Sequence, residues 1–584
     1  MDEQVANFFT NIFLIVTIFI GAVLITQGIR INYIYLVGLL PLIFIVFMVF
    51  YIRKKLILEG LYKTFIKEWG KDVERKRDFK SIRSIFDYIR YENDNEFYLD
   101  DQTWSDLTMD EVYKLIDRTL TSPGEEALYK ILRTPLFKEQ DLKDRNEIIN
   151  LMQNDKKFRE ELGMYLLKLN RKKINDIPDL LWNDINADIR LRPICIVMAI
   201  VPVASIVFFL ITKNLNAIFI TFIALCVNYI IHNKIKKRIT KYVSCIGYLN
   251  NIIVAGNDIS KISCEKFKSY KDLLGELSRR VFSITKRSAG VGRIEGIDQT
   301  GIAEILYVIL LFEENQFFSC INLIKKYQED LKRLYVIIGE IDAMLSIAAY
   351  RDGLKFYSHP NFTDDTKYLE AEELIHPLID NAVSNSINIS DKGIILTGSN
   401  MSGKSTFLRT IGVNAVLAQT IYITTSSYYK ASFFKIMTSI SPEDNIMGGK
   451  SYYFREAEAL LRIIEESGKD YPLLCIIDEI FRGTNPVERV NASIEILKYL
   501  ERHNALAVVA THDIELTDML MDKYNLFYFT EDIDKDGMVF DYKLKPGVCR
   551  TRNAVKLLKF LNYPDEIIEN TNRRIEGILK CDKE

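Results

Sequence analysis

Three short stretches hold residue types at spacings that could bind and cleave a nucleotide. Gly398-Ser399-Asn400-Met401-Ser402-Gly403-Lys404-Ser405, followed by Thr406, fits the phosphate-binding loop pattern G-x-x-x-x-G-K-[S/T]. In such a loop, backbone N–H groups at a helix N-terminus form a nest for phosphate oxygens. Lys404 would reach the β- and γ-phosphates, and the Ser405 hydroxyl would ligate magnesium. Leu473 to Glu479 is an apolar run that ends in two carboxylates. Asp478 would complete the magnesium shell, and Glu479 would orient or deprotonate the attacking water. A third apolar run ends in Thr511-His512, where the imidazole could sit beside the γ-phosphate and sense hydrolysis. The combination predicts Mg2+-dependent hydrolysis of ATP, with Glu479, Lys404 and His512 as the catalytic set.

These residues need a sheet to hold them. Gly393 to Thr397, Pro472 to Ile477 and Ala505 to Ala510 read as buried strands alternating with helices, the pattern of a doubly wound parallel α/β sheet. Ser405 to Gln419 reads as the helix behind the loop. Leu526 to Thr530 and Met538 to Leu544 are expected to form a β-hairpin. Their acidic link begins like a calcium loop, but Lys543 stands where a glutamate is required. Upstream, Asp100 to Asp188 and Lys234 to about Arg351 read as mostly helical, with amphipathic runs at Met109–Asp117, Gly124–Arg133, Ile302–Leu311 and Phe317–Tyr350. Gly290-Val-Gly292-Arg-Ile-Glu-Gly296 follows no strand and has its third glycine at the wrong interval for a dinucleotide fingerprint, so it reads as a turn.

Composition limits the function classes. Net charge is −2 with 26% charged residues, so no global basic signature marks a nucleic-acid binder. Eight cysteines form no C-x-x-C pair and only five histidines accompany them, which predicts neither zinc nor disulfides. Four apolar segments are long enough to cross a bilayer: Phe8–Ile29, Tyr33–Ile52, Pro193–Ile211 and Leu215–Ile231. Arg53, Lys54, Lys55, Arg190, Arg192, Lys234, Lys236, Lys237 and Arg238 flank them on one side, against Arg30 and Lys213 on the other. The positive-inside rule then predicts a multi-pass membrane protein whose large segments, including the C-terminus, lie in the cytosol.

Several of these stretches together resemble the MutS family, whose ATPase domain belongs to the ABC class. They are Thr397–Thr406, Asp478-Glu-Ile-Phe-Arg-Gly-Thr484, Ala510-Thr-His512, His376-Pro377, Gly449-Lys-Ser451 and Pro564–Glu569. The resemblance covers about Leu374 to Arg574, and Thr121 to Met152 looks like the start of that family's helical core. It implies a homodimer in which each nucleotide lies between one subunit's phosphate loop and a signature segment of the other. Ser451 would reach the γ-phosphate in trans, Asn400 would touch the same phosphate, and His376 would lie near the adenine. The C-terminal helices would embrace the partner.

The chain departs from the family at both hairpins. A membrane hairpin replaces the mismatch-reading domain, and a second interrupts the core where a DNA clamp would be inserted. The expected organisation is residues 1–55, a transmembrane hairpin; 56–190, the first part of the helical core; 191–233, a second hairpin; 234–370, the second part of the core; and 371–584, a P-loop ATPase domain with dimerisation helices. The leading reading is a membrane-anchored, MutS-like ATPase linked to DNA binding, repair or recombination, with DNA itself an open partner. The alternative is a membrane mechanotransducer or ATP-gated scaffold with no nucleic-acid role.

Overall fold

The computed structural model describes residues 3–581 except 93–95, 172–176, 184–190, 289–308, 366, 399–401, 441–451, 483, 535–536, 549–554, 556–560 and 562. The expected turn at Gly290–Gly296 and most of the Ile302–Leu311 run lie outside the described residues, as do Ser399, Asn400, Met401 and Ser451. The chain divides into two compact units that do not follow its linear order. One comprises residues 1–88, 118–127 and 150–353; the other comprises 89–117, 128–149 and 354–584.

The first unit is helical. Its packing relies on close helix approach: a Cβ on Gly339 would lie 2.4 Å from the Pro123 carbonyl oxygen, and one on Gly163 would lie 2.6 Å from the Phe65 ring. Asp342, fully buried on the helix Gln328–Gly353, accepts from Leu120 N (3.0 Å), Thr121 N (2.7 Å) and Thr121 Oγ1 (2.6 Å). Thr121 Oγ1 in turn accepts from Gly124 N at 3.1 Å, capping the helix Ser122–Arg133. A buried carboxylate is tolerable here because donors converge on it.

The apolar helices correct the expectation of four spans. Two segments among the described residues are long and apolar enough, Arg192–Phe209 with mean hydropathy 2.2 and Asn216–Ile235 with 1.6. Only 17% of each is buried. The expected Tyr33–Ile52 span is broken, because Tyr33–Gly38 is a 3-10 helix and the following helix, Leu39–Glu68, soon carries Arg53, Lys54 and Lys55. The described apolar stretch of the first helix, Glu3–Arg30, is Phe19–Gly28. The apolar segment that begins at Asn216 does not end where the hydropathy falls. It continues as a single 44-residue helix to Ile259, whose later turns bury Tyr248, Leu249, Ile252 and Ile253.

The second unit contains β1 (Asn361–Phe362), β2 (Tyr368–Leu374), β3 (Asn385–Ser390), β4 (Gly393–Thr397), β5 (Tyr428–Ala431), β6 (Lys435–Ser439), β7 (Leu473–Asp478), β8 (Ala505–Ala510), β9 (Tyr524–Tyr528), β10 (Glu531–Asp534), β11 (Gly537–Phe540) and β12 (Lys545–Pro546). The main sheet has the order β12-β9-β4-β8-β7-β6, parallel throughout except for β12. Strands β4, β7 and β8 are wholly buried, which is why they read as continuous apolar runs. The hairpin forms between β10 and β11, whereas Leu526 to Tyr528 pair with β4 as part of the central sheet. Apolar alternation cannot distinguish a hairpin strand from a sheet strand followed by a hairpin. Strands β1, β5, β2 and β3 form a smaller sheet.

The helix Asp101–Asp106 packs in this unit. Buried Asp106 accepts from Thr438 Oγ1 at 2.7 Å and Ile440 N at 2.9 Å, beyond the end of β6.

Candidate functional site

Each chemical motif lies at the C-terminal end of a parallel strand, the edge where open α/β sheets bind ligands. Registers Leu396↔Ala510 and Asp478↔Ala510 put the ends of β4, β7 and β8 side by side. Beyond β4 the chain turns through Gly398 at φ +138° and Gly403 at φ +104°, both in a region that favours glycine. A Cβ on Gly398 would also lie 2.5 Å from the Phe529 carbonyl oxygen. The helix Lys404–Ile421 starts directly after Gly403, so its first N–H groups face the loop.

Lys404 is 1% exposed, and its Nζ donates to the Gly398 carbonyl at 2.5 Å. Ser405 Oγ donates to Asp478 Oδ2 at 2.5 Å. These are two hard oxygen donors at the mouth of a phosphate-loop helix, a donor set suited to magnesium. Ser402 is fully buried and Thr406 lines the neighbouring cleft.

Glu479 stands just past β7. Its N–H donates to the Ala510 carbonyl at 2.9 Å and its backbone is left-handed, φ +62°. Phe481 also has positive φ, +59°. Two non-glycine residues in this region within three positions store backbone strain, a common companion of functional sites. The Glu479 carboxylate meets His512 Nε2 through Oε1 at 3.2 Å and Arg482 Nε through Oε2 at 3.0 Å. The hydrogen bond from His512, opposed by burial and aided by the charges of Arg482, His512 and Lys404, holds the carboxyl below its usual range. Arg482 also donates to the Asp478 carbonyl at 3.0 Å and lies 3.5 Å from Asp478 Oδ2. His512 itself is partly exposed.

Beside the loop lies a cleft of about 440 Å3 lined by His376, Asp380, Gly403, Thr406, Phe407 and Phe529, among others. His376 is 6% exposed, and its Nδ1 accepts from Leu378 N at 3.3 Å. Burial, with Arg409 nearby, pushes its pKa down to about 4, so the ring is neutral at ordinary pH. Phe407 and Phe529 meet edge to face at 5.7 Å.

The structure therefore brings Lys404, Ser405, Asp478, Glu479 and His512 into one continuous site, with His376 in the adjoining cleft. Ser399, Asn400, Met401 and Ser451 lie outside the described residues. Sequence reasoning assigned no part to Arg482, although it sits inside the quoted Asp478–Thr484 stretch, nor to Phe529 and Tyr542, which line the cleft. An arginine one turn after paired acids was a readable signal for the first. The other two arrive from distant loops and left none.

Residues 394–578 match the family model "MutS domain V". The chain is 28% identical over 278 residues to the DNA mismatch repair protein MutS of Fervidobacterium nodosum, covering 46% of this chain and 33% of that one. It is 27% identical over 272 residues to the protein of the same name from Thermus aquaticus, and 28% over 272 residues to that from Staphylococcus carnosus, covering 46% and 44% of this chain. The matched segment spans about a third of the length of these relatives, 33% and 31% for the latter two. Over residues 394–578, then, this chain is similar to the MutS domain V family.

Proposed function

We propose that the second unit is a Mg2+-dependent ATPase, and that the second apolar hairpin anchors the chain in a membrane. The observation that carries the first part is the contact of Ser405 with Asp478, with Glu479 held one residue further on by His512 and Arg482. Bound magnesium would neutralise phosphate charge, with Ser405 and Asp478 as its protein ligands. Lys404 neutralises charge on the β- and γ-phosphates, and the loop N–H groups orient them. Glu479 accepts a proton from water or aligns it, and its depressed pKa keeps it an acceptor at neutral pH. His512 steers that carboxylate and exchanges contact with the γ-phosphate. His376, neutral and buried, offers an uncharged edge for a base in the cleft.

The family resemblance extends this to a homodimer, with Ser451 completing the partner's site, and to a role linked to DNA. The membrane part rests on the exposed apolar surface of the hairpin: Ile211 (77%), Leu215 (74%) and Phe219 (67%) face outward. The test is ATP turnover by the full-length protein in detergent, with Mg2+, with and without duplex, branched and single-stranded DNA. Turnover abolished by Glu479→Gln with ATP binding retained is expected. Undiminished turnover in that variant would remove the proposed base. Turnover unaffected by any DNA would favour the scaffold or mechanotransducer reading, for which the exposed hairpin is the supporting observation.

A further inference from the structure

The apolar spans Pro193–Ile211 and Leu215–Ile231 hold no Asp, Glu, Lys or Arg, yet the fold brings a carboxylate against the hairpin. Asn228 and His232 lie one turn apart on the apolar segment Asn216–Ile235 and are both buried, at 0% and 3% exposure. Glu314, on the helix Phe312–Lys326, is fully buried against them, its Oε1 lying 2.8 Å from His232 Nδ1. Asn228 Nδ2 donates to the carbonyls of Met198 (2.9 Å) and Ile309 (2.7 Å). Asn315 Nδ2 reaches the Cys195 carbonyl at 3.3 Å, one turn before Met198 on the first helix of the hairpin. Three helices thus converge on one polar locus in apolar surroundings.

What remains there is unbalanced. Asn228 Oδ1, Glu314 Oε2, Asn315 Oδ1 and His232 Nε2 are buried and have no hydrogen-bond partner. In the neutral tautomer whose Nδ1–H donates to the carboxylate, His232 Nε2 presents a lone pair, and the other three atoms are oxygen acceptors in any case. The amide nitrogens are already committed to backbone carbonyls. A water could donate to two of these atoms but would bring lone pairs of its own, and it would leave the carboxylate charge uncompensated. A small cation satisfies several oxygens together and neutralises that single charge. An ionisable group held against a membrane-length apolar helix is in any case costly unless it is paired or ligates an ion.

We propose that this locus binds one monovalent inorganic cation, Na+ or K+, between the carboxylate of Glu314 and the amide oxygens of Asn228 and Asn315. One carboxylate matches one positive charge, and amide oxygens are the ligands such ions accept. The site fastens the apolar hairpin to the helix Phe312–Lys326 within the first unit, and it does not depend on the ATPase reading.

The test is thermal unfolding of the full-length protein in detergent, in NaCl, KCl or choline chloride at equal ionic strength. A saturable rise of about 3 °C or more over choline is expected in one of the two inorganic salts, and which salt does it identifies the ion. Glu314→Gln should abolish this response while melting in choline no lower than the unsubstituted protein, because the uncompensated charge is gone. Because that variant could fail to fold, Tl+ introduced into crystals of the unsubstituted protein supplies a second readout: anomalous density between Glu314 and Asn228. Equal melting temperatures in all three salts would overturn the proposal, leaving water or a proton on His232 as the occupant. A response retained in Glu314→Gln would overturn it as well, as would the absence of thallium at the locus where KCl is the salt that raises the melting temperature.

Discussion

The proposed nucleotide site and the polar seam of the apolar hairpin both bury charged groups, and they treat them in opposite ways. At the ends of β4, β7 and β8 every acid is engaged: Asp478 with Ser405 and Arg482, Glu479 with His512 and Arg482. Against the hairpin, Glu314 of the helix Phe312–Lys326 has its Oε1 on His232 and a bare Oε2, with bare amide oxygens on Asn228 and Asn315. The first site is self-neutralising and can wait for a diffusing ligand. The second is incomplete as built, the feature on which the proposed cation site rests. Burial alone therefore does not distinguish a working site from a structural one; the state of the remaining lone pairs does.

The sharpest way to break this contrast is in the nucleotide site. Lys404→Ala should lose tight ATP binding, and Glu479→Gln should lower turnover by about 100-fold or more, as expected for removing a positioned acid–base group. ATP binding by filter or fluorescence titration separates the two. Next in size is Asp342, which shares deep burial with Glu314 but is fully satisfied. Asp342→Ala leaves the N–H groups of Leu120 and Thr121 unpaired and should destabilise the first unit by about 3 kcal/mol, read by chemical denaturation.

The third test uses pH. His376 has a folded pKa near 4, lowered from 6.5, so the unfolded chain binds the proton more readily. The stability this group contributes is therefore complete above about pH 6.5 and is lost as pH falls from there toward 4. Over that window the loss should reach about 3 kcal/mol, and His376→Asn should flatten it. Glu479 works in the same direction at lower pH: its depressed pKa gives stability that is present above the normal carboxylate range and lost as pH falls through the folded value. The smallest effect should come from His512→Ala. Removing the main cause of that depression should move the acid limb of the ATPase pH profile upward, by less than about one pH unit, since His512 is partly exposed.

Legibility followed the same divide. The phosphate loop, the paired acids and Thr511-His512 were readable because each is a contiguous stretch at the end of a wholly buried strand. The strand limits at Gly393–Thr397 and Ala505–Ala510 agree with the structure, and Leu473–Asp478 is offset by one residue. The Glu314 contact was not readable: His232 and Glu314 are 82 residues apart, and only packing of three helices joins them. The broken span at Tyr33–Gly38 was missed for a related reason. Hydropathy averages over a window and does not register a change from α- to 3-10 geometry inside it. Nor could linear order show that residues 89–117 and 128–149 pack with the C-terminal sheet, where Asp106 seats on Thr438.

The unbroken helix from Asn216 to Ile259 has a practical consequence. Its apolar half is not a detachable tag, because the same rod supplies Tyr248, Ile252 and Ile253 to the interior of the first unit. Excising the hairpin to gain solubility removes the start of a core helix; an internal deletion in that helix instead changes the rotational phase between its apolar segment and its core-facing turns. A deletion that restores whole helical turns, about 3.6 residues each, keeps those side chains pointing inward. One that is out of phase by two residues turns them about 200° relative to the apolar segment, and the two halves of the helix no longer seat together.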